Sequence, residues 1–199
     1  MTAKRIAIIG NGRVGSALAR GLKRAGHEVR AIGNEPASVL ETALWGEIVI
    51  LAVPFTVMDS VLKEAGSSVE GKTVVDATNA LGSEMQLAIG FTTSGAEELQ
   101  KKASKAHVIK ALNTVFAQHM DTGRLGDQEL AAFITGNDTD GKNTVLEMAR
   151  NIGFDAVDAG PLSNARLLES LGYFNIQLAY TLGMGTQSGL KFLHGLKTT

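Results

Sequence analysis

The sequence predicts an α/β fold, in which a doubly wound and mostly parallel sheet carries helices on both faces. Strand and helix patterns alternate through about the first 110 residues with short connections, which is typical of parallel sheets covered on both faces. A chain of 199 residues is also long enough to bury a substantial core. Apolar residues after Gly160 recur at helical spacing, so the fold is expected to end in a short helical extension.

The predicted strands are short, apolar and rich in β-branched residues, a composition that favours a buried pleated surface. They are Arg5–Ile9, Glu28–Ile32, Glu47–Val53, Thr73–Asp76 and His107–Lys110, followed by Leu130–Thr135 and Ala156–Asp158. The sheet is therefore expected to continue beyond its first five strands.

The predicted helices alternate with these strands. They begin at Arg13 and at Pro36, and they cover Phe55–Ala65, Ala96–Ala103, about Lys142–Asn151 and Ser163–Gly183. Proline is favourable at a first helical position, Ser94 can cap the fourth helix, and Gly153 can end the fifth.

A three-glycine turn, Gly10-Asn11-Gly12-Arg13-Val14-Gly15, follows the first strand and opens the first helix. In such a motif the first glycine allows a tight turn, the second lets the backbone approach a pyrophosphate, and the third lets helix and strand pack closely. The phosphates would lie at the helix N-terminus, where free backbone N–H groups and the helix dipole favour an anion. All six residues are therefore predicted to bind a dinucleotide. The alternative is that the glycines only form a tight turn.

The glycine turn and the strands that follow it predict that residues 1–160 form an NAD(P)-binding, Rossmann-like domain with added strands. Residues 161–199 are predicted to form a C-terminal helical extension that completes the site. Dehydrogenases with the same motif usually complete their active site with a large helical second domain, for which this extension is too short. The site is therefore expected in loops at the carboxyl ends of the strands. These loops are Val53-Pro54-Phe55, Asp76–Asn79, Ala111–Thr114 and Asp158–Leu162.

Charge and composition disfavour several function classes. The chain has 19 basic and 20 acidic residues, a net charge of −1 and no basic block, which disfavours a nucleic-acid partner. No apolar stretch reaches the roughly 20 residues of a membrane span, so we expect a cytoplasmic protein that does not enter a membrane. The absence of cysteine removes disulfides, thiolate catalysis and cysteine metal sites, and no metal site is predicted. Redox chemistry would depend on bound cofactors.

Several segments together resemble one known family. They are the glycine turn, Val53-Pro54, Asp158-Ala159-Gly160-Pro161-Leu162-Ser163-Asn164-Ala165-Arg166-Leu167-Leu168-Glu169-Ser170-Leu171, Gly183-Met184-Gly185 and Gly189–Leu193. Over nearly its whole length the chain is similar to the NADP oxidoreductases that use the deazaflavin coenzyme F-420, their bacterial relatives and the reductase domain of six-transmembrane metalloreductases. The resemblance implies NADP as cofactor, hydride transfer between a nicotinamide and a second flat ring stacked against it, and usually a homodimer.

Asn79 and Asn113 are the candidate catalytic residues, since each follows a predicted strand. Amides at strand ends can hydrogen-bond a nicotinamide carboxamide or the carbonyls of a partner ring, and Asn79 is also a candidate cofactor ligand. Loop capping is the equal alternative for both. Val53-Pro54, Phe55 and Met184 are further candidates for the cofactor and ring pocket, although an apolar residue is more often part of the core.

The titratable residues offer no convincing proton donor. The four histidines, His27, His107, His119 and His194, are interpreted as structural or solvated, and Arg166 and Glu169 are spaced to pair on one helical face. Reducing a carbonyl calls for a positioned proton donor, whereas transfer to a deazaflavin ring carbon requires chiefly alignment and exclusion of water. The residues suit the second kind of reaction.

The segment after the second strand leaves the choice between NADP and NAD open. It is Ile32-Gly33-Asn34-Glu35, whereas NADP-using members of the family carry a small hydroxylated residue and an arginine there. Glu35 would repel a 2′-phosphate, and it lies near the spacing at which an acidic residue binds the ribose hydroxyls of NAD. Asn34 and Glu35 are therefore predicted cofactor ligands, and Arg13 could still reach a 2′-phosphate.

Three functions remain open. The first is hydride transfer between NAD(P)H and a small-molecule redox acceptor. Because Asn113 stands where deazaflavin-using members have a histidine, that acceptor could be coenzyme F-420, a flavin, a quinone or a ferric complex. The second is a non-catalytic dinucleotide sensor, and the third is a reductase of small carbonyl or imine compounds. Apolar residues of the last helix could form a homodimer interface or belong to the core: Phe174, Ile176, Leu178 and Tyr180.

Overall fold

The computed structural model describes residues 2–33, 36–82, 86–193 and 195. Its strands are β1 (Arg5–Ile9), β2 (Glu28–Ile32), β3 (Ile48–Leu51), β4 (Thr73–Asp76), β5 (His107–Ala111), β6 (Arg124–Leu125), β7 (Gln128–Glu129), β8 (Ala131–Gly136) and β9 (Asp155–Asp158). Its α-helices are α1 (Arg13–Arg24), α2 (Pro36–Trp45), α3 (Met58–Ala65), α4 (Gly95–Lys102), α5 (Thr139–Ile152) and α6 (Ala165–Ile176).

Seven of these strands form one sheet in the order β2-β1-β3-β4-β5-β8-β9. The first five strands of the chain pair in parallel, whereas β8 runs antiparallel to β5 and parallel to β9. β6 and β7 form a small separate hairpin. The predicted mostly parallel, Rossmann-like sheet is confirmed.

Each face of the sheet has its own hydrophobic core, because successive side chains of a strand point to opposite faces. Ile6 and Ile8 of β1 belong to the core under α1 and α5, while Ala7 and Ile9 belong to the core under α2, α3 and α4. All four are fully buried. Helices on both faces account for the nearly continuous apolar runs in the strands.

β3 is shorter than the predicted strand, which extended to Val53. Its ladder stops at Leu51, and the chain turns at Pro54 (φ −57°) into a short 3₁₀-helix, Phe55–Val57, before α3. Proline has no backbone N–H to donate to a ladder and fixes φ. The turn carries this loop out over the carboxyl edge of the sheet.

The extension packs on the domain as one interrupted helix. A 3₁₀ turn, Leu162–Asn164, leads into α6, which continues as a π-helical turn, Gln177–Thr181. Ala165 and Leu162 enter the core that α4 also covers, so α6 is anchored against that face of the sheet. In the described part of the chain, no helix combines the length and apolar character that crossing a membrane requires.

Candidate active site

The three glycines of the turn between β1 and α1 differ in their surroundings. A Cβ on Gly10, whose φ is +112°, would overlap the carbonyl oxygen of Ala52, and a Cβ on Gly15 would overlap the carbonyl oxygen of Gly10. A Cβ on Gly12 would meet no described protein atom within 4 Å. Packing inside the protein therefore demands glycine at the first and third positions. At the second position the open space suits the close approach of a ligand.

The N-terminus of α1 faces this open space. Gly12 is its N-cap, with extended backbone (φ −67°, ψ −165°) and no side chain to cap the first turn, which also contains no acidic residue. The first N–H groups of a helix lack intrahelical partners, and the helix dipole favours an anion beside them. A pyrophosphate lying over Gly12 fits this arrangement.

A cavity of about 500 Å³, here called the dinucleotide groove, extends from the glycine turn along the carboxyl ends of β3 and β4. The residues after those strands form its walls. Seven of the predicted site residues line it: Gly12, Arg13, Val14, Val53, Pro54, Phe55 and Asn79. Two of the four predicted loops thus form this groove, whereas the predicted loop Asp158–Leu162 lines neither cavity, because β9 runs antiparallel to the first five strands. Dinucleotide binding in the groove remains a prediction.

A second cavity of about 300 Å³ adjoins the groove, and Arg13, Val14 and Asn79 line both. The loop after β5 forms one wall of the second cavity, from Asn113 to Gln118. The far wall is built by α6 and the π-helical turn through Gly172, Asn175, Ile176 and Tyr180. The ring of Tyr180 meets that of Phe116 edge-on, with centroids 6.3 Å apart. The two cavities thus share a boundary formed by Arg13, Val14 and Asn79.

Asn79 and Asn113, here called the amide pair, are hydrogen-bonded to each other at this junction. Asn113 Nδ2 donates to Asn79 Oδ1 at 3.0 Å and to the carbonyl oxygen of Leu168 in α6 at 2.8 Å. Asn79 Nδ2 donates to the carbonyl oxygen of Asn113 at 3.0 Å. The pair therefore ties together the loops after β4 and β5 and the helix α6.

The two amides differ in accessibility. Asn113 is buried, its two amide hydrogens are used by the bonds above, and its Oδ1 is closed off from solvent. Asn79 is half-buried and lines both cavities, and its Nδ2 has a second hydrogen beyond the one given to Asn113. Asn79 therefore borders both cavities, whereas Asn113 borders only the second one and uses both amide hydrogens to hold Asn79 and Leu168. Their predicted catalytic role remains a prediction.

Gly172 allows α6 to approach the amide pair. A Cβ there would lie 2.6 Å from Asn79 Oδ1 and 2.7 Å from Asn113 Nδ2, far closer than ordinary van der Waals contact. Gly172 was not among the site residues predicted from the sequence. An isolated glycine inside a helical pattern was the signal for it, since such a glycine usually has a packing reason.

Asn11 and Met184 lie outside the linings of both cavities. Asn11 is exposed and its carbonyl accepts a hydrogen bond from Ser16 Oγ at 2.7 Å. Met184 is 66% exposed after the π-helical turn. Asn34 and Glu35 lie outside the described residues, so the ribose end of the site remains a prediction.

The predicted pairing of Arg166 with Glu169 is wrong. Arg166 donates to both carboxylate oxygens of Glu97 in α4, at 2.8 and 2.6 Å, and so holds the pKa of Glu97 below its ordinary value. Glu169 is buried and lies 3.0 Å from Lys110 Nζ. Tertiary packing is the cause, because it places the Glu97 carboxylate of α4 beside Arg166 and the buried Lys110 ammonium of β5 beside Glu169.

None of the described histidines lines either cavity. His27 and His119 are buried, and burial lowers the pKa of His27. His107 begins β5, at the opposite end of the strand from the cavities, with Nδ1 3.3 Å from Asp138. His194 lies outside the described residues. Within the described ranges, no three histidines or carboxylates are grouped so as to hold a metal ion.

Comparison with known proteins identifies the family. The sequence profile described as "NADP oxidoreductase coenzyme F420-dependent" matches residues 5–44 and 33–80. The F420-dependent NADP reductase of Methanocaldococcus jannaschii is 30% identical over 161 residues, which are 75% of this chain and 68% of that protein. The metalloreductase STEAP3 of Rattus norvegicus is 30% identical over 182 residues, 85% of this chain but 36% of STEAP3. The chain thus spans little more than a third of that relative.

The structural comparison agrees. A candidate F420-dependent NADP reductase from Arthrobacter sp. FB24, solved by crystallography, superposes with a TM-score of 0.87 and 28% identity. The match covers 96% of this chain and all of that one. The resemblance inferred from the glycine turn and the distal motifs is therefore confirmed, and the chain belongs to the family of coenzyme F420-dependent NADP oxidoreductases.

Proposed function

We propose that this protein transfers a hydride between a nicotinamide dinucleotide in the dinucleotide groove and a flat-ring acceptor in the second cavity. The observation that carries the proposal is the shared wall of the two cavities at Arg13, Val14 and Asn79. Ligands that fill both cavities would meet there. Hydride transfer requires mainly that two reacting carbons be held in close and fixed approach.

The residues of the chain would bind and align rather than exchange protons. The α1 N-terminus at Gly12 would hold the pyrophosphate, and Asn79 Nδ2 would donate to a ring carbonyl or carboxamide at the junction. Val115, Phe116 and Ile176 give the second cavity apolar walls that exclude water from a stacked pair of rings. The reduced nicotinamide supplies the hydride when it is bound.

We infer NADP(H) as the cofactor and coenzyme F-420 or a flavin as the acceptor. The name of the Methanocaldococcus relative supports both parts of this inference. Arg13 is exposed at the mouth of both cavities and would place a guanidinium near a phosphate of either ligand. Glu35 would act against NADP if it reaches the ribose.

A reductase of carbonyl or imine compounds would need a proton donor, and Tyr180 is the candidate in the second cavity. It is 61% exposed at the rim of that cavity. A phenol at the exposed rim is badly placed to donate its proton to a reacting atom inside the cavity, because a general acid must lie within hydrogen-bonding distance of that atom. Tyr180→Phe should therefore leave the activity intact if hydride transfer between rings is the reaction.

We infer further that the protein works as a homodimer. Large apolar side chains stay exposed along α6 and the segment after it: Leu167, Phe174, Tyr180, Leu182 and Met184, which are 56–66% exposed. Exposed apolar surface of this kind is typical of an interface. Sedimentation of the wild type and of Phe174→Lys tests the inference, with a dimer expected for the first and a monomer for the second.

The function is tested by mixing the protein anaerobically with NADPH or NADH and one acceptor at a time: coenzyme F-420, FMN, a quinone, a ferric chelate, or a small carbonyl or imine compound. We expect rapid oxidation of NADPH with coenzyme F-420 or FMN. Saturable NADPH binding with no turnover of any acceptor would overturn the proposal in favour of a dinucleotide sensor. Turnover only with a carbonyl or imine, lost in Tyr180→Phe, would favour the third function.

A further inference from the structure

Three charged side chains meet in the core directly beneath the amide pair. Asp76 ends β4, Lys110 lies in β5 and Glu169 lies in α6, and their exposed fractions are 1%, 0% and 1%. Lys110 Nζ lies 2.9 Å from Asp76 Oδ2 and 3.0 Å from Glu169 Oε1. We call this group the buried triad.

The buried triad is fully engaged with its surroundings. Glu169 also accepts the first backbone N–H groups of α4, from Gly95 at 2.9 Å and from Ala96 at 3.2 Å. These two donors offset the extra negative charge that two carboxylates and one ammonium leave in the core. Burial acts against the charged form of Lys110, but the two facing carboxylates outweigh it and raise the pKa of Lys110 above its ordinary value.

One arm of the triad reaches the loop that carries Asn79. Lys110 Nζ donates to the carbonyl oxygen of Thr78 at 2.6 Å, and Asp76 Oδ1 accepts from the backbone N–H and the hydroxyl of Thr78 at 3.0 and 2.7 Å. Asn79 is the next residue. The backbone that presents Asn79 to both cavities is therefore fixed from below.

The other arm reaches the opposite side of the amide pair. Glu169 follows Leu168, whose carbonyl oxygen accepts from Asn113 Nδ2 at 2.8 Å, and it precedes Gly172 by one helical turn. The depth at which Glu169 docks onto Lys110 and α4 thus sets how closely α6 lies against the amide pair. Replacing a buried ion network with apolar residues is often neutral for stability, so stability alone is a weak reason for such a network.

We propose that Glu169 is a positioning residue, which docks α6 on Lys110 and the N-terminus of α4 and so fixes the amide pair where the two cavities meet. As a statement about catalysis this rests on the proposed function, because Asn79 must then align a ligand ring. As a statement about structure it stands apart from any ligand. Glu169 belongs to the family-like segment from Asp158 to Leu171, and this positioning would be a physical role for that segment.

The chain offers a matched control at the same helix contact. Arg166 and Glu97 also join α6 to α4, but by a partly exposed ion pair that touches neither Lys110 nor the amide pair. Glu97→Gln weakens the α4–α6 contact from its solvent side. Glu169→Gln removes the buried charge and places an amide donor among Lys110 and two backbone N–H donors. The two variants separate positioning from simple loss of stability.

The first measurement is solvent exchange of the Asn113 side-chain NH₂ group by NMR, assigned with Asn113→Asp, in the protein without ligand. We expect slow exchange in the wild type and in Glu97→Gln, and exchange faster by about tenfold or more in Glu169→Gln. Equal exchange in the two Gln variants, or no change in either, would overturn the proposal. If Glu169→Gln does not fold, Glu169→Asp, which keeps the charge but shortens the side chain, is measured with the same criteria.

The second measurement is kinetic, with NADPH as donor and coenzyme F-420 as probe acceptor. We expect Glu169→Gln to keep its Kd for NADPH while the single-turnover rate constant falls by about 10²-fold, the scale of a small misplacement of a reacting group. Glu97→Gln should keep both values, and a similar loss of rate in both variants would contradict a specific role for Glu169. If the wild type does not reduce coenzyme F-420, the proposed acceptor fails, and the NMR result still decides the role of Glu169.

Discussion

Substitution of Gly12 by valine should remove dinucleotide binding while leaving the fold in place. Gly12 has an extended backbone that any residue adopts, and a Cβ on it meets no described protein atom within 4 Å. The only cost to the folded state is a poorer N-cap for α1, which is about 1 kcal/mol. The valine side chain would instead fill the space over the α1 N-terminus in which the pyrophosphate is proposed to lie.

The expected loss of affinity follows from the bonds that valine would block. Displacing the phosphates from two backbone N–H groups removes hydrogen bonds to a charged group worth about 1.5–3 kcal/mol each. A loss of about 3 kcal/mol already weakens Kd by ~10²-fold. Calorimetric titration with NADPH gives Kd, and thermal unfolding gives the stability of each variant.

Two further variants serve as controls for this experiment. Gly12→Ser restores a good N-cap, so it should unfold like the wild type and still bind weakly. Gly15→Ala should fail to fold normally, because its Cβ overlaps the carbonyl oxygen of Gly10. Wild-type affinity in a folded Gly12→Val would show that the pyrophosphate does not lie over Gly12.

Three other predictions concern the amide pair, the ribose site and the α4–α6 contact. Gly172→Ala gains about 1 kcal/mol of helix propensity but overpacks the amide pair at a cost of about 1–3 kcal/mol. We expect the variant to retain its NADPH affinity, while hydride transfer measured in single-turnover kinetics is slowed by ~10²-fold. A wild-type rate would show that the amide pair does not align the reaction. Glu35→Arg should shift preference toward NADPH by about 1–3 kcal/mol, measured as the ratio of Kd values for NADPH and NADH; an unchanged ratio would remove Glu35 from the ribose pocket. The pKa of Glu97 is lowered in the folded state by its hydrogen bonds from Arg166, so its contribution to stability is present above the ordinary pKa of 4.5 and is lost as pH falls through the lowered pKa. Urea unfolding should therefore show wild type and Glu97→Gln differing at neutral pH and converging in acid, and a difference that persists in acid would contradict this.

The features that could be predicted from the sequence are those set by local pattern. β1, the glycine turn and the start of α1 are adjacent in the chain, and their apolar run, glycines and helical period each indicate the structure directly. Ser94 was a possible cap by residue type alone, and it does cap α4 by accepting from the N–H of Glu97 at 3.2 Å. The position of the dinucleotide groove could also be predicted, because parallel strands place the loops at their carboxyl ends on one edge of the sheet.

The features that could not be predicted depend on contacts between distant parts of the chain. Lys110 ends a predicted apolar strand, where a charged residue would be expected to reach solvent, yet it is fully buried and paired with Asp76 of β4 and Glu169 of α6. Arg166 and Glu169 share a helix face at a spacing that suits pairing, but Arg166 instead binds Glu97 of α4 and Glu169 instead binds Lys110 of β5. Helical spacing shows which residues could meet, and tertiary packing decides which do.

We propose that a hydride passes directly from a nicotinamide in the dinucleotide groove to a ring in the second cavity. The most direct test uses NADPH that carries deuterium at both hydrogen positions of nicotinamide C4, with coenzyme F-420 as acceptor, and locates the transferred deuterium by mass spectrometry. We predict that the deuterium appears on the deazaflavin ring and that the transfer is slowed in Gly172→Ala. Deuterium found in the solvent, with none on the acceptor ring, would show that the hydride is not transferred directly between the two rings.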